Sequence, residues 1–280
     1  GQRGSNEGHP SITFHTIPRF SRLSLARLFA PLRILKEAIV IKPDLLILCT
    51  HELLSIALMA KMLLRCKVVY DVQENYWQNI YYGKAFPFYL RPLIAAFVRT
   101  KEWMLSPIVD FYFLAERSYQ DELGFTKNKR VVLENKLRKP ETRDHSKKSK
   151  TDGNIHLLFT GTLAETTGVF NAIKIASSLH QVEPRIRLLI IGFCPLHSTL
   201  DEVKRQIADK PYITLTGGDR FVPHEDILSA IQSADFGIIA YPPNPSTANA
   251  IPTKLYEYLG CQLPALLINN PSWTARCKAY

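Results

Sequence analysis

The sequence predicts an α/β protein made of two doubly wound domains, and three observations predict it. Short apolar runs of strand length alternate with stretches of helical periodicity along most of the chain. A basic segment poor in apolar residues divides that alternation into two blocks. Glycine and proline recur just after the strand-like runs, where an open parallel sheet turns into its covering helices.

In the first block, Asp44–Cys49 (DLLILC) predicts a strand, Glu52–Leu64 a helix and Lys67–Tyr70 (KVVY) a second strand. Ala95–Leu105 follows as a helix, Phe111–Leu114 as a strand, Glu116–Leu123 as a helix and Val131–Leu133 as a strand. Residues Pro140–Gly153 are rich in Lys, Ser, Thr and Asp, the composition of a linker. The rhythm then restarts with strand Ile155–Thr160, helix Gly168–His180, strand Arg187–Ile191, helix Leu200–Ala208 and strand Ile213–Thr216. Helix His224–Ser233, strand Phe236–Ala240, helix Thr253–Leu259 and strand Ala265–Ile268 complete it. The expected organisation is a domain at 1–139, a linker at 140–153 and a domain at 154–280. Gly1-Gln2-Arg3-Gly4 resembles the loop that follows a first strand, and Tyr280 comes soon after the last one. An opening strand and further C-terminal elements are therefore expected to be missing.

Composition narrows the class. With 280 residues, 46% hydrophobic and 21% charged, the chain can bury two ordinary cores without staples. No apolar run reaches the roughly 18 residues of a membrane span, and Gly1–Pro10 lack the apolar centre of a signal peptide. Cys49, Cys66, Cys194, Cys261 and Cys277 are odd in number and form no Cys-x-x-Cys pair. That argues against a zinc site or disulfide framework and for a reducing, cytoplasmic compartment. Net charge is +10, part of it within Lys127–Lys150. Such a run serves as a solvated linker or attracts phosphates, on a nucleotide or at an anionic membrane surface. The segment Arg19–Lys36 sets Arg19, Arg22, Arg27, Arg33 and Lys36 among apolar residues, with Pro31 interrupting it. It reads as a core helix with a solvated basic face, or as a membrane-surface helix giving peripheral contact. A nucleic-acid binder is disfavoured, because no binding motif is present and the aromatics do not interleave with the basic runs. A nicotinamide dehydrogenase is disfavoured because no Gly-x-Gly-x-x-Gly follows a strand.

Ligands of open parallel sheets bind where strands end, so the residues after each strand carry the functional signal. Gly161, with Thr162, follows the first strand of the second domain and leads through Gly168 to a helix whose free amides suit a phosphate. Gly192 holds the same place one unit later. In Gly217–Pro223, two glycines and a proline shape a loop that could hold a planar base, with Arg220 within reach of a phosphate and Phe221 and Val222 beside it. Each of these three signals, alone, is also what an ordinary turn looks like. The strongest segment is Tyr241–Pro264. Pro252 and Thr253 suit the opening of a helix, where amides are unpaired. Lys254 lies in the first turn, and Glu257 sits one turn on from Thr253. A carboxylate there can accept hydrogen bonds from vicinal ribose hydroxyls; the alternative is a plain surface pair between Lys254 and Glu257.

Pro252-Thr253-Lys254-Leu255-Tyr256-Glu257-Tyr258-Leu259, followed by Gly260 and Pro264, resembles the donor-site signature of the large glycogen-synthase-like (group 1) family of retaining GT-B glycosyltransferases. Glu225–Leu228 through Ala234–Ile238 is similar to the family's approach to that site, and Gly161 with Gly168 to its glycine loop. Tyr70-Asp71-Val72-Gln73-Glu74 resembles the first-domain segment that usually reads Tyr-Asp-Val-His-Glu. The resemblance implies two Rossmann-like domains facing across a cleft, and transfer of a sugar from a UDP- or GDP-sugar to a glycan or lipid-linked acceptor. It further implies retained configuration, no metal and no cofactor, in cell-surface polysaccharide or glycolipid synthesis. Glu257 would hold the ribose, Lys254 the diphosphate, and the amides around Pro252 and Thr253 the phosphate or sugar. The Gly217–Pro223 loop would meet the base. The aromatic run after Glu74, with Tyr76 and Trp77, reads by itself as a cleft-lining loop on the acceptor side or as plain packing. Three departures stand out. Asn249 replaces the family's glutamate eight positions before Glu257, Thr162 and Thr167 replace its two loop cations, and Gln73 replaces its histidine. They leave a second function open, a nucleotide-sugar binder of the same fold with weak or no catalysis.

Overall fold

The structure, a computed structural model, describes residues 11–15, 25–83, 85–127, 129–136 and 152–278. Most of the predicted linker and of the basic run lies outside them, as do Arg19, Arg22 and the opening Gly1–Gly4. The described chain divides into two compact units. The first comprises the residues up to Ile80 with Pro87–Ala115 and Tyr119–Val132; the second takes Tyr81–Phe86, Glu116–Ser118 and everything from Leu133. Among the described residues no helix is long and apolar enough to cross a membrane.

The first unit opens with helix α1 (Leu25–Ile41), which runs unbroken through Pro31 where an interruption was expected. Proline forfeits one backbone bond there, and Leu35 and Ala38, buried on one side, hold the helix down. Arg33 and Lys36 are exposed on it. Strand β1 (Leu45–Leu48), helix α2 (Leu54–Leu64) and strand β2 (Lys67–Val72) follow, then α3 (Tyr76–Tyr82), α4 (Arg91–Leu105), β3 (Phe111–Leu114), α5 (Tyr119–Glu122) and β4 (Arg130–Val132). Tyr76, Trp77 and Tyr81 are therefore helical, where a loop was expected. The helix predicted over Glu116–Leu123 shrinks to α5, its start being a bend.

The four strands are parallel in the order β1-β2-β3-β4. A sequential order returns each right-handed crossover to the same face. On that face Leu48, Val68, Tyr70, Tyr112 and Leu114 pack against Ile56 and Ala60 of α2 and Leu35 of α1. Leu45, Ile47, Phe111 and Val131 stay exposed.

The second unit alternates strictly: β5 (Ile155–Thr162), α6 (Val169–Val182), β6 (Ile186–Phe193), α7 (His197–Ile207), β7 (Ile213–Gly218), α8 (His224–Ser233), β8 (Phe236–Ile239), α9 (Thr253–Gly260), β9 (Ala265–Leu267) and α10 (Pro271–Cys277). All five strands are parallel, in the order β7-β6-β5-β8-β9. The order grows outward from β5 in both directions, so helices cover both faces. α6 and α7 pack on Leu157, Phe159, Leu188 and Ile190. On the other face, Ile231 of α8, Leu255 and Tyr258 of α9 and Trp273 of α10 pack on Leu158, Ile191 and Ile239. Burying an aliphatic side chain of this kind stabilises by about 1.5–3 kcal/mol, so each face has a core of its own.

Candidate functional site

β5 and β8 are paired only where they begin, Leu157 opposite Phe236 and Leu158 opposite Gly237. Past these residues the strand order reverses and the two strands part, the place where open α/β sheets bind ligands. Two side chains of α9 enter the gap. The Tyr258 ring lies 2.3 Å from where a Cβ on Gly237 would stand, so only glycine admits it. Its hydroxyl reaches Thr160 Oγ1 at 3.1 Å and the Leu158 carbonyl at 3.4 Å. Lys254 is the other. Its Nζ stands 3.8 Å from the centroid of the Phe159 ring and 5.2 Å from that of Tyr241.

Lys254 is 4% exposed, and its Nζ has no hydrogen-bond partner among the described residues. Its Cε comes within 4.0 Å of the point that a Cβ on Gly161 would occupy. Aromatic faces give a desolvated ammonium about 2 kcal/mol, less than the hydrogen bonds to water it has lost. Burial accordingly pushes the Lys254 pKa down to about 7, with the Glu257 charge pulling the other way. The surface pair between Lys254 and Glu257 that helical spacing allowed is not formed: the lysine is buried, and Glu257 Oε1 meets His224 Nε2 of α8 at 3.2 Å.

Three strands carry glycine one residue before their ends. Gly161, Gly192 and Gly217 stand side by side in register across β5, β6 and β7. A Cβ on Gly192 would lie 1.8 Å from the Gly161 carbonyl oxygen, and one on Gly217 2.4 Å from that of Gly192. Each backbone thus leans on the next, which only glycine permits, and the row presents bare peptide groups. Beyond it Phe193 and Phe221 stack with centroids 4.1 Å apart and 18° between planes. Phe221 keeps its outer face exposed, Arg220 is exposed next to it, and Val222 packs beside Gly217.

α9 begins at Thr253 with Pro252 as its N-cap, and no side chain caps it. The Leu255 amide turns back to the Pro252 carbonyl at 2.9 Å, which leaves the Thr253 and Lys254 amides without a side-chain cap among the described residues, at the positive end of the helix dipole. The loop before it is stitched down by residues that the sequence did not single out. Trp273 Nε1 donates to the Ala250 carbonyl at 2.8 Å, Asn270 Nδ2 to that of Ala248 at 3.0 Å, and the Ile251 amide to Glu116 Oε2 at 3.3 Å. Asn249 is exposed in that loop. The turn that carries Thr162 and Thr167 closes on itself: the Thr167 hydroxyl donates to the Thr162 carbonyl at 2.6 Å and accepts from the Ala164 amide at 3.1 Å.

The structure thus gathers Gly161, Gly192, Pro252, Thr253, Lys254 and Glu257 at one strand reversal, and adds Phe159, His224 and Tyr241. His224 is 33 residues from Glu257, and no local pattern could have joined them. In the first unit, Gln73, Glu74, Tyr76 and Trp77 follow the end of β2. Gln73 Nε2 donates to Asp71 Oδ2 at 2.9 Å, and Asn79 Nδ2 to Glu74 Oε2 at 2.8 Å. Tyr76 packs edge-on against His51 and donates to the Cys49 carbonyl at 3.3 Å, while Trp77 is half-buried on α3.

No protein-family model matches the sequence, and no curated protein matches it either. Solved structures do. Anabaena Alr3699/HepE, crystallised with UDP-glucose, superposes with a TM-score of 0.60 at 14% identity, over 88% of this chain and 64% of its own. A glycosyltransferase from Rickettsia africae gives 0.61 at 13% identity, over 91% of this chain and 65% of that one. The UDP-forming α,α-trehalose-phosphate synthase of Burkholderia vietnamiensis gives 0.60 at 11%, over 92% and 66%. The likeness shows the fold class: tandem parallel α/β units of the GT-B glycosyltransferases. The chain spans just under two thirds of the length of each of these three proteins.

Proposed function

We propose that the chain carries the donor side of a glycosyltransferase, moving a sugar from a nucleoside-diphosphate sugar to a glycan or lipid-linked acceptor with retained configuration. One observation carries this reading. At the strand reversal of the second unit, a bare glycine row and an uncapped helix start surround a buried ammonium that has no partner. Each of these features suits an anion, and a diphosphate spans them. Glu257, one turn into α9, is placed to accept two ribose hydroxyls, each charge-assisted bond contributing about 1.5–3 kcal/mol. Rupture of the bond between sugar and diphosphate builds negative charge on the departing phosphate. The α9 amides and Lys254 lie where that charge grows, which is the form of stabilisation that speeds such a reaction. The structures that share the fold and hold UDP or UDP-glucose support a uridine donor.

Glu257→Ala tests the site. UDP-glucose affinity, read by calorimetry, should fall by about tenfold or more, the equivalent of at least about 1.4 kcal/mol. Unchanged affinity would remove Glu257 from the site. A second reading, binding without transfer, is favoured by Asn249 standing where the family has a glutamate and by the closed threonine turn. Release of free UDP from UDP-glucose in the presence of candidate acceptors separates the two.

A further inference from the structure

We propose that Lys254 binds the donor's diphosphate by taking up a proton as the ligand arrives, so that the charge which holds the phosphate is created on binding. This rests on the reading of the strand reversal as a diphosphate site and specifies how that site is regulated.

The geometry leads to it. Lys254 is held under Phe159 and Tyr241 without a single acceptor for its Nζ. A buried ammonium in that position has given up water and received only ring faces, so the folded protein favours the neutral amine. The adjoining Cε lies 4.0 Å from the point a Cβ on Gly161 would occupy, at a gap in the sheet with bare backbone on one side and the uncapped start of α9 on the other. An anion lodged there supplies the missing acceptor and the missing countercharge together. The lysine then returns toward its ordinary, protonated state.

The groups around Lys254 leave few competitors for that proton. From its own helix Glu257 is the charged group that acts on it, and Tyr258 has its hydroxyl on Thr160. The segment after β8 offers Tyr241, whose pKa burial and then Glu257 raise to about 12, so it stays protonated. β5 contributes Phe159, Thr160 and Gly161, none of which titrates. α8 contributes His224, which meets Glu257. Burial holds the Lys254 amine near pH 7, which places the proton exchange in the physiological range.

Calorimetry of UDP-glucose binding, run at pH 8 in buffers of different ionisation enthalpy, tests this. UDP-glucose is the probe because its diphosphate is doubly esterified and does not itself titrate near neutrality. Wild type should take up close to one proton per molecule bound. Its affinity should fall about tenfold for each pH unit above 7, because only the protonated lysine holds the ligand. Lys254→Met, an apolar replacement of similar length, should bind weakly, take up no proton and lose the pH slope; Lys254→Arg should bind without uptake. Thermal unfolding of each variant confirms that it is folded. Binding to wild type without proton uptake would overturn the inference and leave the donor site standing. Uptake that persists in Lys254→Met and disappears in His224→Gln would overturn it too, by moving the proton to the histidine. Failure of both UDP-glucose and GDP-mannose to bind at any pH would overturn the site itself.

Discussion

The two units differ in the surroundings they give their buried charged groups. In the first, the Tyr70 hydroxyl donates to Glu102 Oε1 at 3.0 Å, Asn75 Nδ2 to Glu122 at 2.8 Å, Arg99 to Asn75 Oδ1 at 2.7 Å, and the Asn75 amide to the Tyr119 hydroxyl at 3.2 Å. These groups bond one another, with Glu102 Oε2 left to the Arg99 guanidinium at 3.8 Å. In the second, three glycines stand in register near the strand ends, and the buried Lys254 amine beside the first of them has no hydrogen-bond partner among the described residues. Sheet order bears on the contrast. The described strands of the first sheet run in sequential order. The second sheet reverses between β5 and β8 and leaves a gap that its own residues do not satisfy. A bonded network fixes shape, whereas a buried polar group without a partner calls for an explanation.

The sharpest way to break that contrast is to give the glycine row a side chain. Gly192→Ala would drive a Cβ to 1.8 Å from the Gly161 carbonyl oxygen, and backbone cannot swing aside as a side chain can. More than about 4 kcal/mol of stability should be lost, in the range reserved for backbone clashes and disrupted cores. Gly124→Ala in the first unit, with no atom within 4 Å of the added carbon, should change stability by less than about 0.5 kcal/mol. Urea denaturation of the two variants reads the difference. Equal effects would show that the row is not under this constraint.

Lys254→Met should move stability the other way. The folded-state pKa of Lys254 is about 7 against an ordinary 10.5, so between those values the unfolded chain holds a proton that the folded chain has released. Wild-type stability should therefore rise with pH from 7 to 10.5, the penalty being fully present below pH 7. Removing the amine should stabilise the empty protein by a few kcal/mol at pH 6 and flatten that rise, as followed by thermal unfolding across the pH range. A variant both more stable and worse at binding is the signature of a group kept for a ligand. Lys254→Met that is less stable than wild type at pH 6 would show that the ammonium is better solvated than its surroundings indicate.

Much of the second unit could be read in advance, and the reason is local punctuation. Gly161 and Gly168, Gly192, the pair Gly217 and Gly218, and Pro252 and Pro264 mark the turns, and every strand predicted between Ile155 and Ile268 forms. The first unit carries less of it. α3 was missed because Tyr76–Tyr82 buries only Ile80 and so shows no apolar period. α10 was missed although Asn270, accepting from the Ser272 and Trp273 amides ahead of Pro271, is an ordinary helix start. The place of Lys254 and Glu257 in the opening turns of a helix was legible, and α9 forms there. The burial of Lys254 was not, since nothing in a lysine's neighbours along the chain says that two strands part in front of it. Glu116 and Trp273 hold the loop before α9 from 135 and 23 residues away, beyond any sequence window.

The smallest effect belongs to the Tyr70–Glu102 hydrogen bond of the first unit, and it carries its own pH signature. Tyr70→Phe deletes the hydroxyl that donates to Glu102 while leaving the ring in the core. Loss of one buried hydrogen bond to a carboxylate should remove about 1.5–3 kcal/mol at neutral pH. Burial already raises the pKa of Glu102, with Arg99 and the Tyr70 hydroxyl opposing it, so the variant should push it higher still. A carboxyl raised in the folded state stabilises while protonated and loses that contribution as pH climbs through its folded value. The deficit of Tyr70→Phe should therefore shrink toward acid pH, where the folded protein carries the proton, and grow toward neutrality. Hydrogen exchange in β2 and α4 should report it, with UDP-glucose affinity unchanged. A deficit independent of pH would mean that the hydroxyl acts through packing alone, and the polar network would then be holding less of the first unit together than its bonds suggest.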